Sequence, residues 1–159
     1  TIAFVGCSFV LVPFVGSLSP SAKAKAERYD VVYLPPIEEG EFREMVVHGK
    51  PFYMYRPSEI DLGNIAKLSS HVSNPAYNSY NEKLGIFFVW GISTKLGCKL
   101  SFIGPQESRL GKRWLGGYFD PCHDPSYDFA GRMISDYEYT FNGYNSKFPN
   151  LDVPIVKLR

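Results

Sequence analysis

Two loops, each fed by an apolar run with β character, constrain this chain more than any other feature. The first is Gly91-Ile92-Ser93-Thr94-Lys95-Leu96-Gly97-Cys98, entered from the run Leu84 to Trp90. The second is Gly116-Gly117-Tyr118-Phe119-Asp120-Pro121-Cys122-His123-Asp124-Pro125-Ser126-Tyr127, entered from Trp114 to Phe119. A continuous apolar run such as Ile86-Phe87-Phe88-Val89 is the pattern of a strand buried on both faces. Further short strands are expected at Val31 to Leu34, Phe42 to Val47, Phe52 to Arg56 and Val153 to Lys157, separated by Gly and Pro turn chemistry. Pro57-Ser58-Glu59-Ile60 reads as a helix start capped by Ser58, with Ile60, Ile65 and Leu68 facing the core. These elements make an antiparallel β domain with two glycine-bearing loops.

Those loops resemble the cluster-binding loops of the Rieske iron–sulfur protein family, the iron–sulfur subunit of ubiquinol–cytochrome c reductase. That family has C-T-H-L-G-C in the first loop and C-P-C-H-G-S in the second. The hairpin His48-Gly49-Lys50-Pro51, the pair Gly131-Arg132 and the segment Asn150-Leu151-Asp152-Val153-Pro154 resemble further family segments in the same order. The resemblance implies an all-β, antiparallel β-sandwich head with an inserted cluster-binding-type subdomain over 90–148. It also implies a disulfide between Cys98 and Cys122, and a role for Tyr127 as the tyrosine that bonds a ligand sulfur. The four ligand positions are Ser93, Lys95, Asp120 and His123, and only His123 keeps the family residue.

A Rieske centre needs two thiolates on one iron and two imidazoles on the other. A serine hydroxyl deprotonates reluctantly, a lysine ammonium repels metal, and a carboxylate prefers harder ions. No cofactor, metal or catalytic residue is therefore expected. Pro125 stands where the family has a serine that bonds a bridging sulfide, and it has no donor. Lys95 and Asp120 form a candidate ion pair between the loops. Asp120, His123 and Asp124 form a second candidate, an open metal site. His48 and His71 read as turn or surface residues. The family's proline-rich cover is replaced by the interval Met133 to Pro149. Its Tyr137, Tyr139, Phe141, Tyr144 and Phe148 have two readings, as interface anchors or as rings packed inward.

No charged residue occurs from Thr1 to Ala22, and Ile2 to Val15 is almost wholly apolar. Residues 1–16 are expected to be the C-terminal part of a transmembrane anchor. Residues 17–27, with small residues, Pro20 and two lysines, are expected to be a hinge, and 28–159 the soluble head. The net charge of +1 carries no basic stripe for nucleic acid. A structural disulfide fits an oxidising compartment, and Cys7 reads as a small hydrophobe in the apolar stretch. No nucleophile elbow, P-loop or dinucleotide fingerprint occurs, so the chain is not expected to be catalytic itself.

The expected function is a cluster-free accessory subunit of a mitochondrial inner-membrane respiratory complex, its head on the intermembrane-space side. The host is complex III of bc1 type, or a neighbouring oxidase or supercomplex. Its partners are then other subunits and the lipid bilayer. Two alternatives are a degenerate but working [2Fe–2S] electron-transfer subunit, and a repurposed metal-binding domain using Asp120 and His123.

Overall fold

The structure, a computed structural model, describes residues 30–95, 97–105, 107, 114–135 and 148–158. The chain divides into two units, Thr1–Leu34 with Ile155–Arg159, and Pro35–Pro154. In the first, β1 (Asp30–Val32) pairs with the last strand, β9 (Val156–Leu158), in parallel register from Asp30↔Val156 to Val32↔Leu158. This pairing departs from the all-antiparallel expectation. The last strand also begins later than Val153. Pro154 has no N–H to give a ladder, and the segment before it instead supplies the Asp152 carbonyl to the Trp90 N–H.

The second unit holds a four-stranded sheet in the order β2-β3-β5-β4 and a three-stranded sheet β6-β7-β8, both antiparallel. Strands β2 (Phe42–Val47) and β3 (Lys50–Tyr55) are joined by His48 and Gly49, with φ of 50° and 73°. Positive φ at both central residues defines the two-residue turn whose twist matches its flanking strands. Strand β5 (Ile86–Trp90) follows the short β4 (Tyr80–Asn81). Pairing Tyr53↔Val89 and Met54↔Phe88 puts Tyr53, Tyr55, Phe87 and Val89 on one face. Phe52, Met54 and Phe88 lie on the other, and all of these are buried. That is why this stretch reads as a continuous apolar run and not as an alternation.

The core joins the two sheets. Strands β6 (Ser101–Ile103), β7 (Gly117–Phe119) and β8 (Ser126–Tyr127) supply Tyr118 and Tyr127. These pack with Tyr53, Val89, Leu100, Met133, Phe148 and Leu151. Phe42 stacks on Phe102 and Tyr55 on Phe129, each at 4.1 Å between ring centroids. Each large side chain buried this way contributes about 1.5–3 kcal/mol.

Helix α1 (Glu59–Leu68) is capped by Ser58. The Asp61 N–H donates to Ser58 Oγ at 3.2 Å, and the Ser58 N–H donates to Asp61 Oδ2 at 2.8 Å. The Tyr55 hydroxyl also donates to Asp61 Oδ2, at 2.7 Å. This fixes the rotation of the helix. Asp61, Asn64 and Leu68 form its buried stripe, spaced by three and four residues. Ile60 falls on the other side and is 76% exposed, contrary to the expected core role.

No helix among the described residues is long and apolar enough to cross a membrane. The expected anchor at 1–16 and hinge at 17–27 lie outside the described residues.

Candidate functional site

The first loop is a tight hairpin continuing from β5. The Ser93 N–H donates to the Cys98 carbonyl at 2.8 Å, the Gly97 N–H to the Ser93 carbonyl at 2.9 Å, and the Leu100 N–H to the Gly91 carbonyl at 2.9 Å. Gly91 has to be glycine because the Tyr53 ring lies where a Cβ would stand. The Tyr53 hydroxyl then reaches the Leu100 carbonyl at 2.6 Å, pinning the loop's exit to β3.

The second loop turns at Asp120, whose side chain is fully buried. Its Oδ1 accepts the Cys122 N–H at 2.9 Å, and its Oδ2 lies 3.1 Å from His123 Nδ1. The Asp124 N–H returns to the Asp120 carbonyl at 2.9 Å, and the Asp120 N–H to the Pro125 carbonyl at 3.0 Å. Asp124 has a φ of 65°. The resemblance sets it against the glycine of the C-P-C-H-G-S pattern, and its left-handed backbone is one that short polar residues tolerate best after glycine.

Cys98 and Cys122 are joined by a disulfide, with their Cα atoms 6.5 Å apart. Such a link contributes about 2–4 kcal/mol and here fastens the two loops together. Phe148 is buried with the core, and its ring centroid lies 6.3 Å from that of His123. Lys95 Nζ sits over the Phe148 ring at 4.7 Å. The structure therefore packs Phe148 inward. Tyr137, Tyr139, Phe141 and Tyr144 lie outside the described residues.

The expected ion pair between Lys95 and Asp120 does not form. Asp120 is taken by the Cys122 N–H and by His123, whose ring can satisfy it without burying an ammonium. Lys95 is exposed, and its charge rests on an aromatic face. His48 forms the hairpin turn, and the carbonyl of His71 accepts from Ser135.

Tyr127 is fully buried against this site. Burial pushes its phenol well above the usual range, the Asp120 charge adds to this, and neighbouring Ser93 opposes it. The two hydroxyls influence each other without hydrogen-bond geometry: Ser93 Oγ and Tyr127 OH, with Thr94 Oγ1, are buried and lack a partner among the described residues. The donors at the four positions where the resemblance places ligands are a hydroxyl, an exposed ammonium, a carboxylate already engaged and one imidazole. That set does not fit a [2Fe–2S] centre, which requires thiolates on one iron.

One feature of the site was missed in the sequence. Asp128 and Arg132, both buried, tie the second loop to helix α1. Arg132 Nε and Nη2 reach Asp128 Oδ2 at 2.7 and 2.6 Å, and the Arg132 N–H reaches Oδ1 at 2.9 Å. Nη2 also donates to the Ile65 carbonyl at 2.6 Å, and Nη1 to Ser69 Oγ at 3.1 Å. Burial pushes the Asp128 carboxyl up, while the guanidinium and the N–H donors pull it back. The signal available was the spacing of an acid and a base around Gly131.

A head built mainly of antiparallel β-sheet, with two loops joined by a disulfide, is the arrangement of a Rieske-type domain. No family model matches the chain. A ubiquinol–cytochrome c reductase iron–sulfur subunit of Allochromatium vinosum is 29% identical over 150 residues, 83% of this chain and 70% of that protein. One from Rickettsia felis is 31% identical over 139 residues, 84% of this chain and 73% of that protein. The mitochondrial Rieske subunit of the cytochrome b-c1 complex of Schizosaccharomyces pombe is 29% identical over 148 residues, 87% of this chain and 61% of that protein. The chain belongs to the Rieske iron–sulfur protein family.

Proposed function

We propose that this chain is a cluster-free structural subunit of a respiratory membrane complex of bc1 type, or of an oxidase or supercomplex beside it. One observation carries the reading: three of the four ligand positions hold Ser93, Lys95 and Asp120, with Asp120 already committed to Cys122 and His123. The relatives named as subunits of the cytochrome b-c1 complex support the choice of host. The mitochondrial names among the relatives support an inner-membrane complex, the disulfide supports an oxidising compartment, and the reading puts the head on the intermembrane-space side because that is the oxidising one. In this reading residues 1–16 anchor the chain, 17–27 form the hinge, and 28–159 form a head held by neighbouring subunits, with 90–148 as its former cluster-binding subdomain.

Iron and labile-sulfide analysis of the native complex, resolved by subunit, tests the reading. The expected result is neither element in this chain. Stoichiometric iron with a Rieske-type paramagnetic resonance signal would establish the working-cluster alternative. Carbonate extraction tests the anchor: the chain should stay with the membrane pellet.

A further inference from the structure

Four donors converge between the two loops: the sulfurs of Cys98 and Cys122, a carboxylate oxygen of Asp120 and a ring nitrogen of His123. All lie within 4.8 Å of one another. In a tetrahedral zinc site, bond lengths near 2.0–2.3 Å place neighbouring donors roughly 3.3–3.8 Å apart. The loops therefore hold the four within a small movement of that arrangement. The donor types suit the same ion, since two thiolates, an imidazole and a carboxylate match the borderline softness of Zn²⁺. While the sulfurs are bonded to each other, neither is a thiolate.

We infer that Cys98, Asp120, Cys122 and His123 form a redox-gated Zn²⁺ site, closed to metal by the disulfide and opened when a dithiol reductant cleaves it. In the step, the S–S bond breaks and accepts two electrons and two protons. The reductant's two thiols lose the same and join as its own disulfide. Zn²⁺ then displaces the protons of both cysteines, since the bound ligands are thiolates. Cys122 is exposed, so an incoming thiolate has a path to the bridge. Asp120 Oδ1 is held by the Cys122 N–H, which leaves Oδ2 directed toward His123 Nδ1. A metal between those two atoms takes the place of their shared proton. The resulting site carries one net negative charge. Lys95 Nζ lies 4.7 Å from the centroid of Phe148, the ring whose centroid is 6.3 Å from that of His123, and supplies a nearby counter-charge.

This inference rests on the reading that no [2Fe–2S] centre occupies the loops. It differs from a site built on Asp120 and His123 alone because the cysteines supply half of the donors and the switch. The test uses the full chain in detergent carrying Cys7→Ser, so that Cys98 and Cys122 are its two cysteines. The protein is reduced with a water-soluble phosphine, desalted anaerobically and titrated with Co²⁺. One equivalent should bind with thiolate-to-cobalt charge-transfer absorption and the intense visible bands of tetrahedral Co²⁺, and Zn²⁺ should displace it. The disulfide form should give neither signal. Asp120→Ala and His123→Ala should each weaken binding by about tenfold or more, the scale seen even for supporting residues. Absence of Co²⁺ binding to the reduced chain overturns the inference. So does equal binding by the disulfide form, or undiminished binding by both the Asp120→Ala and the His123→Ala variants. Should reduction unfold the head, Zn²⁺ must restore its circular dichroism, and failure to do so also overturns it. Iron found in native material sinks the cluster-free reading; absent iron with absent Co²⁺ binding sinks this inference alone.

Discussion

Asp120, in the second loop, and Asp128, just after β8, are both fully buried carboxylates, and their surroundings differ sharply. Around Asp128 the carboxylate and the guanidinium close on each other, and the Tyr118 hydroxyl is the group beside it without a partner among the described residues. The guanidinium of Arg132 takes its carboxylate, the Ile65 carbonyl and Ser69 Oγ, so a loop and a helix end are satisfied by one side chain. Around Asp120 the account stays open, with Ser93 Oγ, Thr94 Oγ1 and Tyr127 OH buried and without a partner among the described residues. An unpartnered buried hydroxyl costs on the order of 1–3 kcal/mol. The lesson is that equal burial does not mean equal satisfaction of the polar groups around a carboxylate.

The comparison is most exposed to Arg132→Ala. Removing the guanidinium strands a buried carboxylate, and the expected loss is about 3–5 kcal/mol, read by urea unfolding. A loss below about 1 kcal/mol, typical of a surface pair, would show that the two regions do not differ as described. Next comes Cys98→Ser, which unfastens the loops and is expected to cost roughly 2–5 kcal/mol. Unchanged unfolding by the same assay would mean that hydrogen bonds alone hold the loops.

Alkaline titration probes both regions together. Burial raises the phenols of Tyr53, Tyr55, Tyr118 and Tyr127, and pushes Tyr77 up to about 12. A raised phenol binds its proton more tightly in the folded chain. Its stabilising contribution is complete below the unfolded value, about 10, and is lost as pH climbs through the folded value. Phenolate absorption from these rings should therefore appear together with loss of circular dichroism. Their ionisation near pH 10 (the ordinary value) in a folded protein would contradict the burial. The smallest effect is expected from Ser93→Ala. It deletes a hydroxyl that has no partner among the described residues, so stability should change by less than about 1 kcal/mol or rise. A loss of several would mean that the open account around Asp120 is closed after all.

Much of this was legible in the sequence because it depends on neighbours along the chain. Ser58 capping a helix, the bounds of β2, and a β5 buried on both faces follow from local chemistry and periodicity. The pair of loops was legible through motif order. What escaped depends on distant partners. Ile60 has the right spacing for a core stripe, but Tyr55 and the cap fix Asp61 inward and so turn Ile60 out. Lys95 and Asp120 are opposite in charge. Yet His123, three residues from the aspartate, is held there by the turn, while the lysine stem can reach an aromatic face. Arg132 bonds helix atoms more than sixty positions away, which no local pattern reports.

The parallel pairing of β1 with β9 has a kinetic consequence. Asp30 meets Val156, near the two ends of the described chain. Loop-closure entropy for such a contact is lost before any local reward arrives, so pairing of this kind forms late. On the ribosome, the hairpins and helix α1 can form as they emerge, while β1 waits for the last strand to be made. Until then its backbone edge is unpaired, and a stall before Val156 would leave the nascent chain with a strand open to the wrong neighbour.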